Sequence, residues 1–527
     1  MSPDAYKRQR GAPKVPALAS AVPSIKGGRR FGGGAALAGL LKAAQADNDR
    51  WPTIPMTPDA IVAMQHTALV ARSRDQWANN DYVRSFIRII RQNVVGPLGV
   101  TMQAKARTAR GKPDKPLNDA LEADHADWAK RGNCDVAGRL SWREIQCLAV
   151  VTAARDGEFI ARLIYGPAAG PHGFAVQMID PQRLPVWRNV DRLPNGNFLR
   201  HGIEMTPWGR PVAYHFTSTD ETDSTWYSVE SAGFVRIPAA EIIHGFLPEM
   251  VGQKRGLPWA SGGLKRLRNV EKFEDAAVQN ARAAATKMGF IEWDEGFGPE
   301  LEDDASLNIE AEPLSFQELP QGARIADWDP LFPSADTAPF LKAQLRGAAS
   351  GMGVPYNELG NDLEGVNFSS IRQMTLDARE HYKEIQQWLI EALIEPVRSA
   401  HLSWRLLNGR IIVKGKPVSP DKLTALREAV TWQPRRWQWI DPTKDTEAAL
   451  AAIRGGLTSP SQVIREQGRD PETVYREIAD DMASMADAGI PADIIKFFFK
   501  GAAAGNVKTA AANDAPDGKE NEGQTNE

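Results

Sequence analysis

Glu300, Glu302, Asp303 and Asp304 place four carboxylates within five positions, a grouping that can hold a divalent cation and activate water for phosphodiester hydrolysis. No histidine accompanies them, and clustered acids in a polar loop need no metal to explain them. A metal-dependent nuclease is therefore the alternative reading and no bound metal is expected. Lys265, Arg266, Arg268 and Lys272 form a second grouping that could meet phosphates. Glu271, Glu274 and Asp275 stand close by, so a solvated helix face with internal ion pairs explains the same residues. Trp432, Trp437 and Trp439 surround Arg435 and Arg436; such a set can stack on bases, but aromatic anchors at a domain or subunit interface are the preferred reading.

Catalysis finds no further footing. The chain has no phosphate-binding Gly-rich loop with Lys-Ser/Thr, no His-Glu-x-x-His, no Gly-x-Ser-x-Gly and no dinucleotide fingerprint. No nucleophile comes with a positioned base, so no catalytic residue and no cofactor is expected. Cys134 and Cys147 are the only cysteines, outside any metal or redox spacing, which points to a reducing compartment without a disulfide framework. The basic N-terminus lacks a signal-peptide pattern, and no apolar run reaches the roughly 18 residues of a membrane span.

The elements that must position these residues begin with a chain of 527 residues, long enough for two to four domains. Formal net charge is only −3, so no global basic field recruits nucleic acid. Charge is uneven instead: the first fifty residues carry nine Lys and Arg against three Asp, and Met288 to Ser334 carries twelve acids against Arg324 alone. Residues 1–50 read as a flexible basic arm, either a solvated tail or a contact to nucleic acid or a neighbouring subunit. Residues 51–256 read as a mixed α+β body. Helices are expected from Thr57, from Asp81 as cap, over Asn118 to Lys130 and, from a Ser141/Glu144 capping box, over Ser141 to Ala154. Strands are expected at Glu158 to Tyr165, Phe174 to Ile179 and Phe198 to Met205, the last turning through Trp208-Gly209 into Val212 to Phe216.

Leu257-Pro258 should open a helix reaching Lys287, its alanine-rich second half suited to close packing. The acidic segment 288–335 follows, with strand-like runs at Gly289 to Trp293 and Leu314 to Leu319, and then a helix over Asp336 to Met352. Gly353 to Ser370 breaks the pattern with glycine, proline and asparagine before Ser370 and Gln373 cap the longest periodic segment, as far as Pro396. That loop is either a plain connection or a projecting element. Ile411 to Pro417 suggests a small strand return, Asp441-Pro442 opens a helical C-terminal region, and residues 501–527 have the composition of a disordered tail.

Gly353-Val354-Pro355 through Leu359-Gly360-Asn361-Asp362, then Val366-Asn367-Phe368-Ser369-Ser370-Ile371-Arg372, resembles the most characteristic block of the lambda-type portal proteins of tailed phages. Three further blocks agree in order: Ile179-Asp180-Pro181 with Arg183-Leu184; Ile237-Pro238-Ala239 and Ile243-His244 leading to Gly252-Gln253-Lys254-Arg255-Gly256-Leu257-Pro258-Trp259; and Trp439-Ile440-Asp441-Pro442 with Gly468-Arg469-Asp470-Pro471. The resemblance covers residues 50 to 490. Where the family usually has Arg-Pro-Gly-Gln, this chain has Met250-Val251-Gly252-Gln253.

The resemblance implies an α+β portal fold in a ring-shaped homo-oligomer, commonly of twelve subunits, at one capsid vertex, assembled in the host cytoplasm. Double-stranded DNA would be packaged and ejected through it. Its partners would be itself, DNA, the terminase large subunit, capsid and scaffold proteins, and head-completion or tail proteins, with no membrane. Residues 51–256 become the wing, 257–287 and 336–352 the stem helices, 288–335 the clip, 371–440 a long helix and wing return, and 441–500 the crown. Glu300, Glu302, Asp303 and Asp304 then belong to the docking surface of the clip. Residues 353–370 become a tunnel loop offering Asn357, Glu358, Asn361, Asp362, Glu364 and Asn367 to the channel. Another ring or scaffold component of the head is a further alternative.

Overall fold

Ser141 shows how local chemistry sets the body of the fold. Its hydroxyl accepts from the Glu144 amide, while the Glu144 carboxylate takes the Ser141 amide, closing a reciprocal cap on the helix Trp142–Asp156. Gly157, at φ +95°, ends that helix and turns the chain directly into the strand Glu158–Tyr165. A glycine is required there, because a Cβ would lie 2.5 Å from the backbone of Leu257.

The computed structural model describes residues 55–218, 233–285, 290–293, 323–326, 337–364, 367–437, 442–491 and 494. The chain divides between Thr57 and Pro58, and every element below belongs to the second unit. In chain order the helices are α1 (Pro58–Asn79), α2 (Asp81–Val94), α3 (Lys115–Trp128), α4 (Trp142–Asp156), α5 (Ser261–Ala285), α6 (Thr337–Met352) and α7 (Tyr356–Leu359), followed by α8 (Phe368–Leu389), α9 (Glu395–Leu407), α10 (Leu423–Glu428), α11 (Pro442–Arg454), α12 (Pro460–Glu466) and α13 (Pro471–Asp487). The strands are β1 (Thr101–Ala104), β2 (Glu158–Tyr165), β3 (Phe174–Ile179), β4 (Phe198–Arg200), β5 (Ile203–Met205), β6 (Pro211–Thr217) and β7 (Phe234–Pro238), then β8 (Ile242–Phe246), β9 (Phe290–Trp293), β10 (Ala323–Ala326), β11 (Ile412–Val413), β12 (Lys416–Pro417) and β13 (Val430–Gln433).

β2 is the central strand of a three-stranded antiparallel sheet between β3 and β8, and its first four residues are buried. The second sheet is an antiparallel meander, β4-β5-β6-β7. The main core joins α2, α4, β2, β3, the base of the α5/α6 pair and the α8/α9 helix around Phe86, Trp128, Phe159, Leu267, Tyr382 and Leu393. A smaller core lies under α3, α9 and α10, and a third fills the space between the meander and the first sheet.

Several boundaries differ from the sequence expectation. Asn80, not Asp81, caps α2, its side chain accepting from the Tyr82 and Val83 amides. Residues 198–205 form two short strands folded back at His201-Gly202 rather than one strand. Leu257-Pro258 stays outside the helix, the Ser261 amide closing a turn on the Pro258 carbonyl, and α5 starts at Ser261. Asn367, not Ser370, caps α8: its Oδ1 accepts the Ser370 amide at 2.8 Å, and Ser370 is already inside the helix.

Pro396 does not end the long helix. A π-helical turn over Ile390–Ile394 carries α8 into α9, with the Glu395 amide donating to the Ile390 carbonyl, and Pro396 falls in the first turn after it. Proline inside a regular helix leaves one carbonyl without its donor and clashes with it; the wider turn absorbs the misfit.

Candidate nucleic-acid channel elements and their buried root

α5 and α6 form an antiparallel pair. Near the body their backbones almost touch: a Cβ on Gly262 would lie 2.7 Å from the Gly351 carbonyl, and one on Gly263 would lie 2.8 Å from Met352. Within the pair the close approach at the root comes from glycines. Leu264, Leu267 and Val270 bury one face of α5, after which the helix leaves the body and Val278, Gln279 and Asn280 are exposed. Phe273 meets Phe340 of α6 at 5.3 Å. At the far end β9 pairs with β10, Phe290 opposite Ala326.

Lys265, Arg266, Arg268 and Lys272 are all exposed on α5. Arg268 is paired with Glu271 at 2.7 Å, and Glu271 also takes the amide nitrogen of Gln76 at 3.0 Å. The Arg266 guanidinium lies over Gly347 of α6. Part of this basic group is therefore committed within the protomer. Glu300, Glu302, Asp303 and Asp304, with Leu314 to Leu319 and Trp439, lie outside the described residues.

The segment after α6 is partly folded. Gly353 turns at φ +68°, Pro355 precedes the single turn of α7, and Val354 and Leu359 are buried. Glu358 accepts from the Tyr382 hydroxyl at 3.3 Å; burial pushes its carboxyl up, against that hydrogen bond. Asn357 is half-buried, with its Oδ1 enclosed. Asp362 takes Lys342 of α6 at 2.9 Å and the Tyr356 hydroxyl at 2.7 Å, and these bonds hold its carboxyl down to about 2. Glu364 meets the same lysine at 3.2 Å. The exposed part is Asn361, in the left-handed region at φ +51°, with Leu363, Glu364 and Asn367. Of the six residues expected in the loop, Glu358, Asp362 and Glu364 are bonded to neighbouring helices, and Asn367 is a helix cap.

The root of the α5/α6 pair rests on a buried charge cluster that sequence reasoning did not single out. Arg255 and Glu158 are each fully buried. The guanidinium Nε donates to Glu158 Oε1 at 2.8 Å and Nη1 to the Leu184 carbonyl at 2.8 Å, while Nη2 pairs with Glu158 and with the Pro181 carbonyl at 3.2 Å. The Gly256 amide donates to Glu158 Oε2 at 2.8 Å, and His244 Nε2 lies 3.0 Å from the same oxygen. Burial alone would push the Glu158 carboxyl up; the Arg255 charge and the His244 contact override it and hold it well below the usual range. One layer out, Arg74 bridges Asp156 and Asp180, each at 2.7 Å.

Asp180-Pro181 with Leu184, His244, and Arg255-Gly256 are thus pieces of one cluster, although they stand far apart in the chain. The turn before Arg255, where the chain departs from the usual family residues, is held by Gln253, whose Oε1 accepts the Glu249 and Met250 amides and whose Nε2 donates to the Arg255 carbonyl, and by Lys254, which donates to the Gly252 carbonyl at 3.3 Å. The Val251 side chain is fully exposed, so that position makes no contact in the protomer.

The pattern that defines phage portal proteins of the lambda family matches residues 45–386. The chain is also 37% identical over 440 residues to the "Probable portal protein" of Halomonas phage phiHAP-1, covering 82% of this chain and 83% of that one. This chain belongs to the lambda family of phage portal proteins. Its role is structural and non-enzymatic, that of a head–tail connector in the virion. Portal protein B of Escherichia phage lambda is 20% identical over 511 residues, covering 87% of this chain and 90% of that one. Among solved structures, the neck of the native GTA particle computed with C12 symmetry aligns with 78% of this chain and 98% of its own at a TM-score of 0.40 and 15% identity. That score is too low to transfer an arrangement of subunits. Among the described residues no group of three or more His, Cys, Asp or Glu is placed to hold a metal, and no helix is long and apolar enough to cross a membrane.

The tryptophans tie segments of the protomer together. Trp437 Nε1 donates to Asn93 Oδ1 at 2.8 Å beneath Arg379 and Arg435, and Trp432 Nε1 donates to Glu395 at 3.2 Å. Among the described residues the most exposed tryptophan is Trp208, at the β5–β6 turn, 87% accessible.

Proposed function

We propose that the chain assembles with copies of itself into a ring, of twelve subunits, at one vertex of the capsid, and that double-stranded DNA enters and leaves the head through its centre. The observation that carries this reading is the α5/α6 pair: two antiparallel helices rooted by glycine contacts and a buried ion pair, leaving the body with exposed flanks. In a ring such pairs would stand side by side as the stem, with residues 51–256 as wing, 288–335 as clip and 441–500 as crown. The exposed tip Asn361, Leu363, Glu364 and Asn367 would face the channel. Terminase and then head-completion or tail proteins would dock at the clip through Glu300, Glu302, Asp303 and Asp304; capsid and scaffold proteins would surround the wing; and assembly would take place in the host cytoplasm.

Electrostatics fits a conduit. Duplex DNA carries about one charge per 1.7 Å, so a strongly basic channel would grip it and resist sliding. A chain of net charge −3, with its α5 bases partly paired, avoids that trap. Electron microscopy of the purified chain tests the reading directly: rings with an open centre are expected, and a monomer or a closed particle at all concentrations would overturn it. For the tip, replacing Asn361, Leu363 and Glu364 together by glycine should keep the rings and lower the yield of DNA-filled heads. Unchanged filling would remove the tip from the channel's function. The wider segment is a poorer target, because Leu359 is buried and Glu358 is bonded to Tyr382.

A further inference from the structure

α9, α10 and β13 enclose a cavity of about 340 Å³. Arg398 lies at its wall, only 5% exposed. Its Nε approaches the sulfur of Met102 at 2.9 Å, a weak acceptor. Among the described residues that is the one hydrogen bond of its guanidinium, and no carboxylate comes within 4.0 Å. The nearest acid along its helix layer, Asp124, is already taken by Arg405, whose Nε donates to it at 2.8 Å. Burial accordingly lowers the guanidinium to about 10, with Asp124 compensating only in part.

A buried charge without a partner is costly, and a protein keeps one where something else completes it. The fork of Arg398 is shaped for a planar, bidentate anion. The remaining wall selects among anions. Leu402, Leu426 and Val430 are apolar; Ser399, Arg427, Glu395 and Glu428 also line the wall, Arg427 donating to the Ser403 hydroxyl at 2.7 Å and Glu395 accepting from Trp432. With Arg398 and Arg427 facing Glu395 and Glu428, the wall charges balance and the apolar part decides: a carboxylate on a short hydrocarbon stem would set its charge on Arg398 and its stem against Leu402 and Leu426, a contact phosphate cannot make. We propose that this cavity is a binding site for a carboxylate carried on a short apolar stem, with Arg398 as its recognition residue. Such a group is supplied either by a free aliphatic acid or by an Asp or Glu side chain of a second copy of this chain. The site is independent of the channel reading and stands if that reading fails.

The test uses the full-length chain and propionate as probe, with inorganic phosphate at matched ionic strength as the contrasting anion. Phenylglyoxal labelling of Arg398 is followed by mass spectrometry of its peptide. Propionate at about ten times its dissociation constant should slow labelling about tenfold, and phosphate should not. In assembled rings against dissociated protomers, labelling already blocked in the ring without probe identifies the second copy as the source; labelling equal in both, with propionate protection, identifies a free acid. Absence of propionate protection in dissociated protomers overturns the proposal, as does equal protection by phosphate. A thermal shift supplies the second arm: propionate should raise the melting temperature of the unaltered chain and leave that of Arg398→Met unchanged. Arg398→Met should itself melt no lower than the unaltered chain, since it removes an unpaired charge; a markedly lower melting point would show that Arg398 is satisfied within the protomer and defeat the assignment.

Discussion

Arg255 and Glu158 are worth more as a pair than either is alone. Each has left water completely, and besides their own bonds five further hydrogen bonds converge on them from β8, the β4–β5 turn and the segments after β3 and β8. Breaking such a pair strands the surviving charge and typically costs about 3–5 kcal/mol, whereas removing both charges costs far less. Arg255→Met should therefore lower the denaturation midpoint sharply, and the double variant Arg255→Met with Glu158→Gln should recover a large part of the loss. Equal destabilisation by single and double variants in urea unfolding would contradict this coupling.

Histidines next to and beyond this cluster set the response to acid. Burial holds His66 down to about 4 and His125 to about 3, and pushes His401 well below its usual range. In the unfolded chain each takes up its proton near 6.5. Between those values the unfolded state binds more protons, so stability is full above about pH 6.5 and is lost as pH falls, by up to about 1.4 kcal/mol per pH unit for each histidine. Glu158 does not contribute in this window, because its stabilisation is lost only below the ordinary carboxylate range. Urea midpoints at pH 7 and pH 5 should differ, and His66→Gln should shrink the difference.

At the scale of elements, what could be read from the sequence was what neighbouring residues decide. The Ser141 capping box and the bounds of β2 and β3 follow from contacts a few residues apart or from simple alternation. The misplacements share one cause, competition between two adequate signals or a remote partner. Asn367 and Ser370 both suit a cap, and the one whose side chain reaches a free amide is Asn367. Asn367→Ala should cost about 1 kcal/mol and Ser370→Ala only a few tenths in thermal unfolding, a ranking that the opposite cap would reverse. Pro396 reads as a helix stop because nothing local announces the π turn before it. Nothing local to Arg255 shows that it is buried, because its counterion is 97 positions away. The family blocks did mark its neighbourhood, but their physical reason appears only when Asp180, His244 and Arg255 meet.

On the scale of the whole molecule, charge and shape bear on how DNA is treated. With a net charge of −3 and Arg268 paired to Glu271, the purified chain should hold duplex DNA weakly and lose it as salt rises toward physiological strength. Filter retention of DNA that resists such salt would contradict a conduit that lets DNA slide. α5 spans 25 residues, so it is about 37 Å long, and it is packed into the body only through its first half. Mechanically the α5/α6 pair is a cantilever. A sideways load at its outer end produces the greatest bending moment at the root, where Gly262 and Gly351 leave no slack and Arg255 anchors the incoming strand. A load on the tip would reach β2 through the buried ion pair, the joint between the pair's root and the sheet.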